Sequence, residues 1–441
     1  MGVIYTKTDQ GSRVSSGTGA PTLTAIAGDY YTDTTTGFNY TYTTSWQQLL
    51  SGAALTYFTE AQSTASPNAT VNVDSLTAIA STTNADFVIR PKGTGAILAR
   101  IPDGTLTGGN KRGTNAVDLQ TFISNGAEHV ASGVNSVVLG GSYNKATGLS
   151  SSVLGGSSNT AASTGDSVLG GDANGATGGW SIAGGRYSQA NATTSVAFGY
   201  QCIVNGYDAS VAMGYANTIT GGYHTTVFGG YNATTGYQHF VGGESNTIVS
   251  GEATSILGKS NRATGSYHLL AGYNHLATAP LSSTLLGVST IDGGYARMVY
   301  GTLGYVRGDS QASKVLLNGR TTTATPKVLS TNILAVDATS QLTLQPNNVY
   351  RIKGSITGKQ SGSTNVGVWD IDCVIVQGVN AASTVIAGTP TVSLVVNTGS
   401  FGIPTLTANT TLGCLTVTVI GVAATNIQWT CAIDTCETIY A

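Results

Sequence analysis

The chain has 441 residues, of which 9% are charged and 59 are glycine. Ordinary globular domains carry roughly 25% charged residues, so this composition argues against a typical soluble enzyme, and it excludes a coiled coil. Lysine and arginine number 19 against 21 acidic residues, which gives no electrostatic reason to expect a nucleic-acid partner. The length and the many turn residues predict a β-rich protein of two or three domains.

The first 55 residues open with MGVIYTKTDQ, which lacks the apolar stretch of a signal peptide. No apolar run reaches the roughly 18 residues that a membrane helix requires, so no membrane insertion is expected. The string GDYYTDTTTGFNYTY at 28–42 predicts tight hairpins. We expect 1–55 to form a small β-hairpin module for attachment and 56–127 to form a β-rich connecting module.

A repeat of about 15 residues dominates the middle of the chain. Each unit has two apolar residues before a glycine, and an asparagine often follows two to four residues later. We expect this asparagine to take a positive φ in a turn. Two short strands and two turns per unit predict a narrow parallel β-roll or solenoid over 128–319. The anchoring glycines are Gly140, Gly155, Gly170, Gly184, Gly199, Gly214, Gly229, Gly242, Gly258, Gly272, Gly287 and Gly301.

The two residues before each anchoring glycine are both apolar or tyrosine, as in Val138 and Leu139. Adjacent strand residues face opposite ways, so each strand is apolar on both faces. One face can fill the interior of the roll, but the other needs a cover that the same coil cannot provide. We therefore expect copies of the chain to pack along the roll as a homo-oligomer.

Two resemblances add to this reading. The strings SVLGG, SVAFGYQCIVNGYDASVAMGYANT and TSILGKSNRATG resemble head repeats of trimeric autotransporter (YadA-like) adhesins over 128–308. The pieces TASPNATV, ADFVIRPKGTGAILARIPDG and GGNKRGTNAVDLQ resemble a segment of bacteriophage tail fibres that precedes Gly-rich roll repeats. Together they imply a homotrimeric tail fibre with a β-roll shaft. They also imply attachment to tail or baseplate proteins through the N-terminal region, and a place in the virion after synthesis in the host cytoplasm.

The composition changes at residues 320–441, where the glycine clusters stop and apolar residues alternate with polar ones. This pattern predicts strands at 328–336, 349–357, 366–377, 391–396, 412–420 and 426–439, and hence a β-sandwich. The segment resembles the C-terminal tip modules of phage fibres, which implies receptor contact at the tip. Candidate receptor-binding residues in a polar loop are Gln360, Ser361, Ser363, Thr364 and Asn365.

The sequence offers little catalytic chemistry. Glycoside cleavage usually needs two carboxylates about 5–10 Å apart, and the acids of the roll are sparse, with no stacked acidic row predicted. Asp370 and Asp372 share a strand face, either as a catalytic or cation-binding pair or, more commonly, as a solvated surface. The five histidines are expected to be polar surface residues, although one per chain can bind a metal on a three-fold axis. The five cysteines are expected to be reduced thiols.

No catalytic residue, metal site or cofactor is therefore assigned, and the chain is predicted not to be an enzyme. The predicted function is that of a phage tail fibre that adsorbs to the host by binding a bacterial surface glycan or protein without catalysis. Two alternatives stay open at this point: a bacterial trimeric surface adhesin, and a tailspike that depolymerises a polysaccharide.

Overall fold

The computed structural model separates into two compact units, Met1–Arg90 and Pro91–Ala441. Within its described part, the only helix is a short 3-10 turn at Ala381–Ser383. The all-β prediction is therefore confirmed. The described residues are 4–7, 13–18, 29–35, 39–42, 46–49, 58–63, 73–79, 84–123, 126–279, 282–292, 297–302, 307–332, 336–337 and 340–440.

The N-terminal unit contains a five-stranded sheet and a two-stranded hairpin. The sheet follows chain order, and its second and third strands are parallel while the other neighbours are antiparallel. Of the two hairpins predicted, with turns at 28–29 and 36–37, the second agrees with the antiparallel pairing of Tyr30–Asp33 with Asn39–Tyr42, whereas residues 28 and 36–38 themselves lie outside the described residues. The strands of this unit are Ile4–Lys7, Arg13–Gly17, Tyr30–Asp33, Asn39–Tyr42 and Trp46–Leu49 in the sheet, and Phe58–Ser63 and Val73–Ala78 in the hairpin.

The second unit begins with a parallel β-roll made of two facing sheets, which we call sheet A and sheet B. In sheet A each strand pairs in parallel with the strand one coil later, as Val196–Tyr200 does with Val211–Tyr215. The strands of sheet A are Ile97–Leu98, Val117–Asp118, Val137–Val138, Ser152–Val153, Ser167–Asp172, Ile182–Arg186, Val196–Tyr200, Val211–Tyr215, Thr226–Gly230, Phe240–Glu244, Ser255–Lys259, Leu269–Tyr273, Ser283–Val288 and Arg297–Gly301.

Sheet B supplies the second strand of each coil and has 11 strands. About eleven turns of a parallel solenoid are thus present, as the repeat predicts. The strands of sheet B are Lys145–Ala146, Thr160–Ala161, Gly175–Ala176, Gln189–Ala190, Ile203–Val204, Thr218–Thr220, Ala233–Thr235, Thr247–Ile248, Arg262–Ala263, Leu276–Ala277 and Ile291–Asp292.

The interior of the roll is a narrow column of small apolar side chains. Sheet A contributes one residue per coil, such as Val153 or Val168, and sheet B contributes the residue that faces it across the interior, such as Ala161 or Ala176. All four of these side chains are fully buried. Because each coil is covered mainly by its neighbours, the stability of the roll depends on stacking rather than on any single coil.

A buried ladder of asparagines runs beside this column. The Asn159 side-chain amide donates to the carbonyls of Gly155 at 2.9 Å and Gly171 at 3.0 Å, and its oxygen accepts the Asn174 backbone N–H at 3.0 Å. The expectation of a positive φ at these asparagines is wrong except at Asn274. The amide must point inward to bond the corner carbonyls, so the preceding residue takes the left-handed corner, as Ser158 does at φ 58°.

The ladder is interrupted once along the shaft. Between Asn174 and Asn217 the equivalent positions hold Ser188 and Cys202. The Ser188 hydroxyl donates to the Gly199 carbonyl at 3.1 Å, and the Cys202 thiol donates to the Gly214 carbonyl at 3.4 Å. Each of these side chains makes fewer hydrogen bonds than an asparagine amide makes at the same position.

Five of the predicted anchoring glycines are out of register by one residue: Gly140, Gly155, Gly170, Gly184 and Gly242. Gly185 and Gly243 occupy the anchoring position, since they pair with Gly199 and Gly229 in the neighbouring strands. A Cβ at Gly243 would lie 1.8 Å from the Gly258 carbonyl oxygen, so only glycine fits there. Gly171 pairs with Gly185, and Gly141 and Gly156 make the same close approach to the next coil. The sequence is ambiguous at these coils because each has two adjacent glycines, and burial of Ala183 and Val241 decides the register.

The chain ends in a β-sandwich, as predicted. The last roll strand, Arg297–Gly301, pairs antiparallel with the first sandwich strand, Ser310–Thr321. Residues of both sheets share one core, in which the rings of Trp369 and Trp429 lie 6.0 Å apart. The strands are Ser310–Thr321, Ile427–Ile439, Asn348–Gln360, Val366–Gln377, Val385–Ile386 and Thr391–Asn397 in one sheet, and Pro326–Val328, Leu342–Thr343, Gly402–Asn409 and Cys414–Ile420 in the other.

Candidate functional site

The two outward rows that flank the buried residues of sheet A form an apolar face, while the charged side chains of these strands (Asp172, Arg186, Glu244 and Lys259) lie at the strand ends. In each strand, the residues before and after the buried residue both point outward. Where one of them is large the other can be small, as with Ile182 and Gly184 on either side of Ala183, and Phe240 and Gly242 on either side of Val241. The two strand faces predicted to be apolar are therefore both apolar. Such a contiguous exposed surface marks an interaction site. Its large exposed members are Leu139, Leu154, Leu169, Ile182, Phe198, Phe228, Phe240, Leu257, Leu269, Met298 and Tyr300.

A cavity of about 600 Å³ lies where the apolar face meets the sandwich. It is lined by Leu286 and Tyr300 from the roll and by Ala312, Cys436 and Thr438 from the sandwich, among others. Because its roll side consists of the same outward rows, we treat this cavity as the end of the apolar face.

A buried charge cluster joins the roll to the sandwich at this point. Arg297 in the last roll strand donates to the Glu437 carboxylate, which also accepts from Gln311 at 2.8 Å and from the Ser313 hydroxyl at 2.6 Å. Burial opposes ionisation of Glu437, but Arg297 and the hydroxyl and amide donors outweigh it and lower its pKa below the usual range. The cluster therefore stabilises the junction in its charged form.

The outer side of sheet B is polar, in contrast to the apolar face, and we call it the polar face. The Thr177 hydroxyl donates to the Asn191 side-chain oxygen at 2.9 Å, and the Asn191 amide donates to the Asn205 oxygen at 2.7 Å. Exposed members of this row are Thr177, Asn191, Asn205, Thr220 and Thr235. The hydroxyl and amide groups of this face are therefore exposed to solvent.

One corner of the roll carries stacked tyrosines, here called the first tyrosine edge (Tyr187, Tyr200, Tyr215 and Tyr231). The rings of Tyr200 and Tyr215 are nearly parallel at 4.9 Å, and Tyr215 lies 5.0 Å from Tyr231. The Arg186 guanidinium lies 4.7 Å from the Tyr187 ring and pairs with an aspartate on the preceding coil. This edge combines aromatic rings with ion pairs.

The opposite corner carries the second tyrosine edge (Tyr207, Tyr223 and Tyr237). Tyr223 stacks on Tyr207 at 5.2 Å and on Tyr237 at 5.7 Å, with interplanar angles of 25° and 19°. Tyr223 and Tyr237, together with His224, Gln238 and Glu252, line a cleft of about 460 Å³. This volume is within the range of ligand-binding clefts.

Two acids share the repeat position of Tyr223 and Tyr237. Asp208 pairs with Tyr223 in the coil that follows it, and Tyr237 pairs with Glu252. The prediction that no acid recurs at a fixed repeat position is therefore wrong. Units of 14 and 15 residues alternate irregularly, so the shared position becomes visible only when the coils are stacked.

The predicted receptor-binding loop is the turn between the strands Asn348–Gln360 and Val366–Gln377. The Asn365 amide donates to the Gln360 side-chain oxygen at 2.8 Å, so these two side chains bond each other. Thr364 is exposed, Ser363 accepts from a lysine ammonium through its carbonyl, and the Ser361 N–H donates to the Asn426 carbonyl. Receptor contact at this loop stays a prediction.

A cleft of about 330 Å³ adjoins this loop. Gln360 and Ser361 line it together with two cationic residues, Arg320 and Lys359. The sandwich therefore presents a basic cleft, whereas the second tyrosine edge presents an acidic one.

Asp372, the cysteines and Arg112 lie outside the two clefts described above. The Asp372 carboxylate accepts from Arg351 on the adjacent strand, which agrees with a paired surface group. The thiols of all five cysteines are free, as predicted, and burial raises the pKa of Cys431 to about 12. The string GNKRG at 109–113 is one of the few basic stretches of the sequence, and its Arg112 is buried and donates to Asp118 at 2.7 Å.

The prediction of surface histidines is wrong for His239, His268 and His275, which are buried in the roll. His239 and His268 occupy a position that holds serine or threonine in neighbouring coils, and His275 occupies the position of the ladder asparagines. In each, Nε2 donates to a carbonyl of the preceding corner, and Nδ1 accepts a backbone N–H from the next coil. Burial lowers the pKa of all three imidazoles.

Two absences hold for the part of the chain that the structure describes. No three or more His, Cys, Asp or Glu side chains are grouped to hold a metal ion. No described helix has the length and apolar character needed to cross a membrane.

Residues 190–287 match the family model of the grass antifreeze β-roll. The chain is also similar to a tailspike from Acinetobacter baumannii bacteriophage Fri1, a capsular polysaccharide depolymerase, with 9% identity, a TM-score of 0.20, and coverage of 78% of this chain and 70% of that one. For the tailspike of Acinetobacter phage vB_ApiP_P1 the identity is 8%, the TM-score 0.19, and the coverage 94% and 96%. No curated protein matches the chain.

These comparisons agree with a β-roll protein similar to phage tailspikes, and they do not confirm the resemblance to YadA-like heads. The prediction that the chain is not an enzyme is contradicted, because one of the similar tailspikes is a depolymerase. We withdraw that prediction.

Proposed function

We propose that the chain is a phage tail protein of the tailspike type that adsorbs to a bacterial host by binding a surface polysaccharide. The observation that carries the proposal is a roll with exposed tyrosines stacked in register on its surface, as Tyr223 is on Tyr207 and on Tyr237. Exposed aromatic rings in register offer flat apolar platforms at the spacing of the coils, which suits an extended repeating ligand. The tail-fibre resemblance of 56–127 supports a place in the virion, with the N-terminal region attached to the tail.

We further propose that the protein is a homotrimer joined along the apolar face. Leu154, Leu169 and Phe198 are between 39% and 50% exposed in the single chain, and burying such a row stabilises association by about 25 cal/mol per Å². Several copies on one tail would bind a repeating polysaccharide together, so weak single sites suffice. A particle of three times the 44.7 kDa chain mass is expected in sedimentation, and a monomer at micromolar concentration would refute this part.

Cleavage of the bound polysaccharide is a second candidate function. The observation that favours it is the position of Asp208 and Glu252 on either side of the aromatic pair Tyr223 and Tyr237. Their backbones are three coils apart, about 14 Å, and glycosidase carboxylates lie about 5–10 Å apart, so both side chains would have to lean toward the tyrosines.

The test uses the purified full chain, labelled with a fluorophore, on encapsulated bacteria and on capsule-free mutants of the same strains. Binding to encapsulated cells that disappears in the capsule-free mutant is expected for at least one capsule type. Release of reducing ends from purified capsule reports cleavage, and the substitutions Asp208→Asn and Glu252→Gln test the two carboxylates. Binding that survives loss of the capsule but disappears after protease treatment of the cells would indicate a protein receptor and overturn the proposal.

A further inference from the structure

We infer that the second tyrosine edge is the polysaccharide-binding site and that it selects an uncharged saccharide. This inference rests on the proposed function and adds to it the location of the contact and the class of sugar. It places the contact on the shaft of the roll, away from the loop Gln360–Asn365 in the sandwich.

The aromatic part of the site is a platform built by the fold. Tyr207, Tyr223 and Tyr237 stack with ring distances of 5.2 Å and 5.7 Å, so their rings are held in register by the coils beneath them. All three side chains are at least 37% exposed, with Tyr207 at 61%. Tyrosine supplies rigid amphipathic contact area at a low entropic cost, and the C–H faces of sugar rings stack on such surfaces.

The backbone holds the polar part of the site just as firmly. His224 and Gln238 occupy the left-handed corner positions directly after the tyrosines, with φ of 55° and 58°. Their backbone N–H groups bond the carbonyls of the preceding coil, at 3.3 Å from His224 to Asp208 and 2.8 Å from Gln238 to Tyr223. The side chains that line the cleft therefore project from a fixed frame, which lowers the entropic cost of binding.

The choice of an uncharged saccharide follows from the polar groups. A glutamine amide both donates and accepts, whereas a carboxylate only accepts, so Gln238 and Glu252 match the hydroxyls and acetamido groups of sugars. None of the five lining residues is lysine or arginine, and Glu252 and the neighbouring Asp208 would repel a uronate or phosphate. An acidic saccharide fits the sandwich cleft beside Arg320 and Lys359 better.

The first tyrosine edge provides a matched control inside the same protein. Tyr200 and Tyr215 are stacked as closely as the tyrosines of the second edge, at 4.9 Å. Their row also contains the ion pairs of Arg186 with Asp172 and of Lys259 with Glu244, so its charges are already neutralised. A substitution there changes aromatic surface without touching the acidic cleft.

The experiment measures binding of the full chain to immobilised, purified capsular polysaccharides in two groups. One group contains only hexoses and N-acetylhexosamines, and the other contains uronic acids. We expect binding within the uncharged group, a loss of roughly tenfold or more in affinity for Tyr223→Ala and for Tyr237→Ala, and a change below about twofold for Tyr200→Ala. Tyr223→Trp, which keeps an aromatic platform, should retain most of the binding, and sedimentation and thermal unfolding verify that each variant assembles and folds.

Three outcomes would overturn the inference, and they are distinguishable. Polysaccharide binding that is unchanged by both alanine variants refutes the second tyrosine edge and leaves the proposed function standing. Binding restricted to uronate-containing polysaccharides refutes the selection of an uncharged saccharide. Absence of binding to every polysaccharide, with capsule-independent adsorption to cells, refutes the proposed function itself.

Discussion

The roll and the sandwich are both all-β, but they are stabilised in different ways. The roll has a narrow column of valine and alanine, a ladder of buried amides and an uncovered apolar face, whereas the sandwich buries Trp369 and Trp429 in one wide core. Stability in the roll therefore depends on neighbouring coils, while the sandwich core is one wide cluster of large side chains. The predictions below test this difference.

The largest effect is expected in the sandwich core. Trp429 is fully buried, packs against Trp369 and Phe401, and donates its indole N–H to Thr321 at 2.8 Å. Trp429→Ala should destabilise the sandwich by about 4 kcal/mol because it removes this bond and leaves a cavity. Hydrogen exchange should show faster exchange in the sandwich strands with little change in the roll. Thr430→Ala on the exposed side of the same strand is the control, and equal effects of both variants would contradict the assignment of the core.

A slightly smaller effect is expected from a glycine of the roll. Gly243→Ala introduces a Cβ 1.8 Å from the Gly258 oxygen at φ 117°, and it should destabilise the roll by about 3 kcal/mol. Gly140→Ala is the matched control, since a Cβ there meets no atom within 4 Å. Chemical denaturation compares the two variants. A Gly243→Ala roll as stable as the control would show that neighbouring coils can shift apart.

The apolar face is expected to govern assembly more than folding. Phe198→Lys places a charge in this face and should weaken self-association by roughly a hundredfold, which corresponds to about 3 kcal/mol. Thr177→Lys on the polar face should leave association unchanged. Sedimentation equilibrium provides the measurement, and a trimer that survives Phe198→Lys would remove the apolar face from the interface.

The smallest effect concerns pH and separates the roll from its junction with the sandwich. The pKa values of buried His239, His268 and His275 are lowered by burial, although Asp292 partly offsets the effect at His268. Their neutral forms are favoured by folding, so their contribution is complete above the ordinary histidine pKa of about 6.5 and is lost as pH falls below it. The lowered pKa of Glu437 places the loss at the junction at more acidic pH.

The variants His239→Thr and His268→Ser test this prediction, because Thr and Ser occupy the same position in neighbouring coils. The midpoint of denaturant unfolding, followed from pH 7.5 to pH 5, should fall less in the variants than in the parent chain. Identical pH profiles would mean that the buried imidazoles do not control the acid sensitivity of the roll.

Much of the fold follows from patterns in the sequence. The 15-residue repeat predicts the roll, and strict alternation places Trp369, Ile371 and Cys373 on the buried face of a strand whose predicted bounds, Val366–Gln377, match the structure. The strand Ser310–Thr321 was not predicted because buried Gln311 and Ser313 interrupt its apolar alternation. These polar side chains are buried because they bond Glu437, a residue more than 120 positions away.

The candidate site is harder to predict than the fold. Tyr223 and Tyr237 are 14 positions apart while Tyr207 and Tyr223 are 16 apart, so no constant period aligns them. Tyr207 lies one residue before the repeat position of Tyr223, which Asp208 holds, so only the coil register reveals that their rings stack. Buried His239 and His268 are missed for a related reason, since a position that holds serine or threonine in most coils gives no sign that imidazole also fits.

The interruption of the asparagine ladder at Ser188 and Cys202 has a mechanical consequence. Over the same coils, on the outside of the roll, Tyr187 meets Tyr200 edge to face at 6.1 Å, and Tyr200 stacks on Tyr215 at 4.9 Å. The coils that hold serine or cysteine in place of the interior asparagine are thus coils whose outer surface carries contacting tyrosine rings. Under a force along its axis, the roll is therefore expected to separate first at these coils, where the outer tyrosine contacts supply part of the remaining resistance.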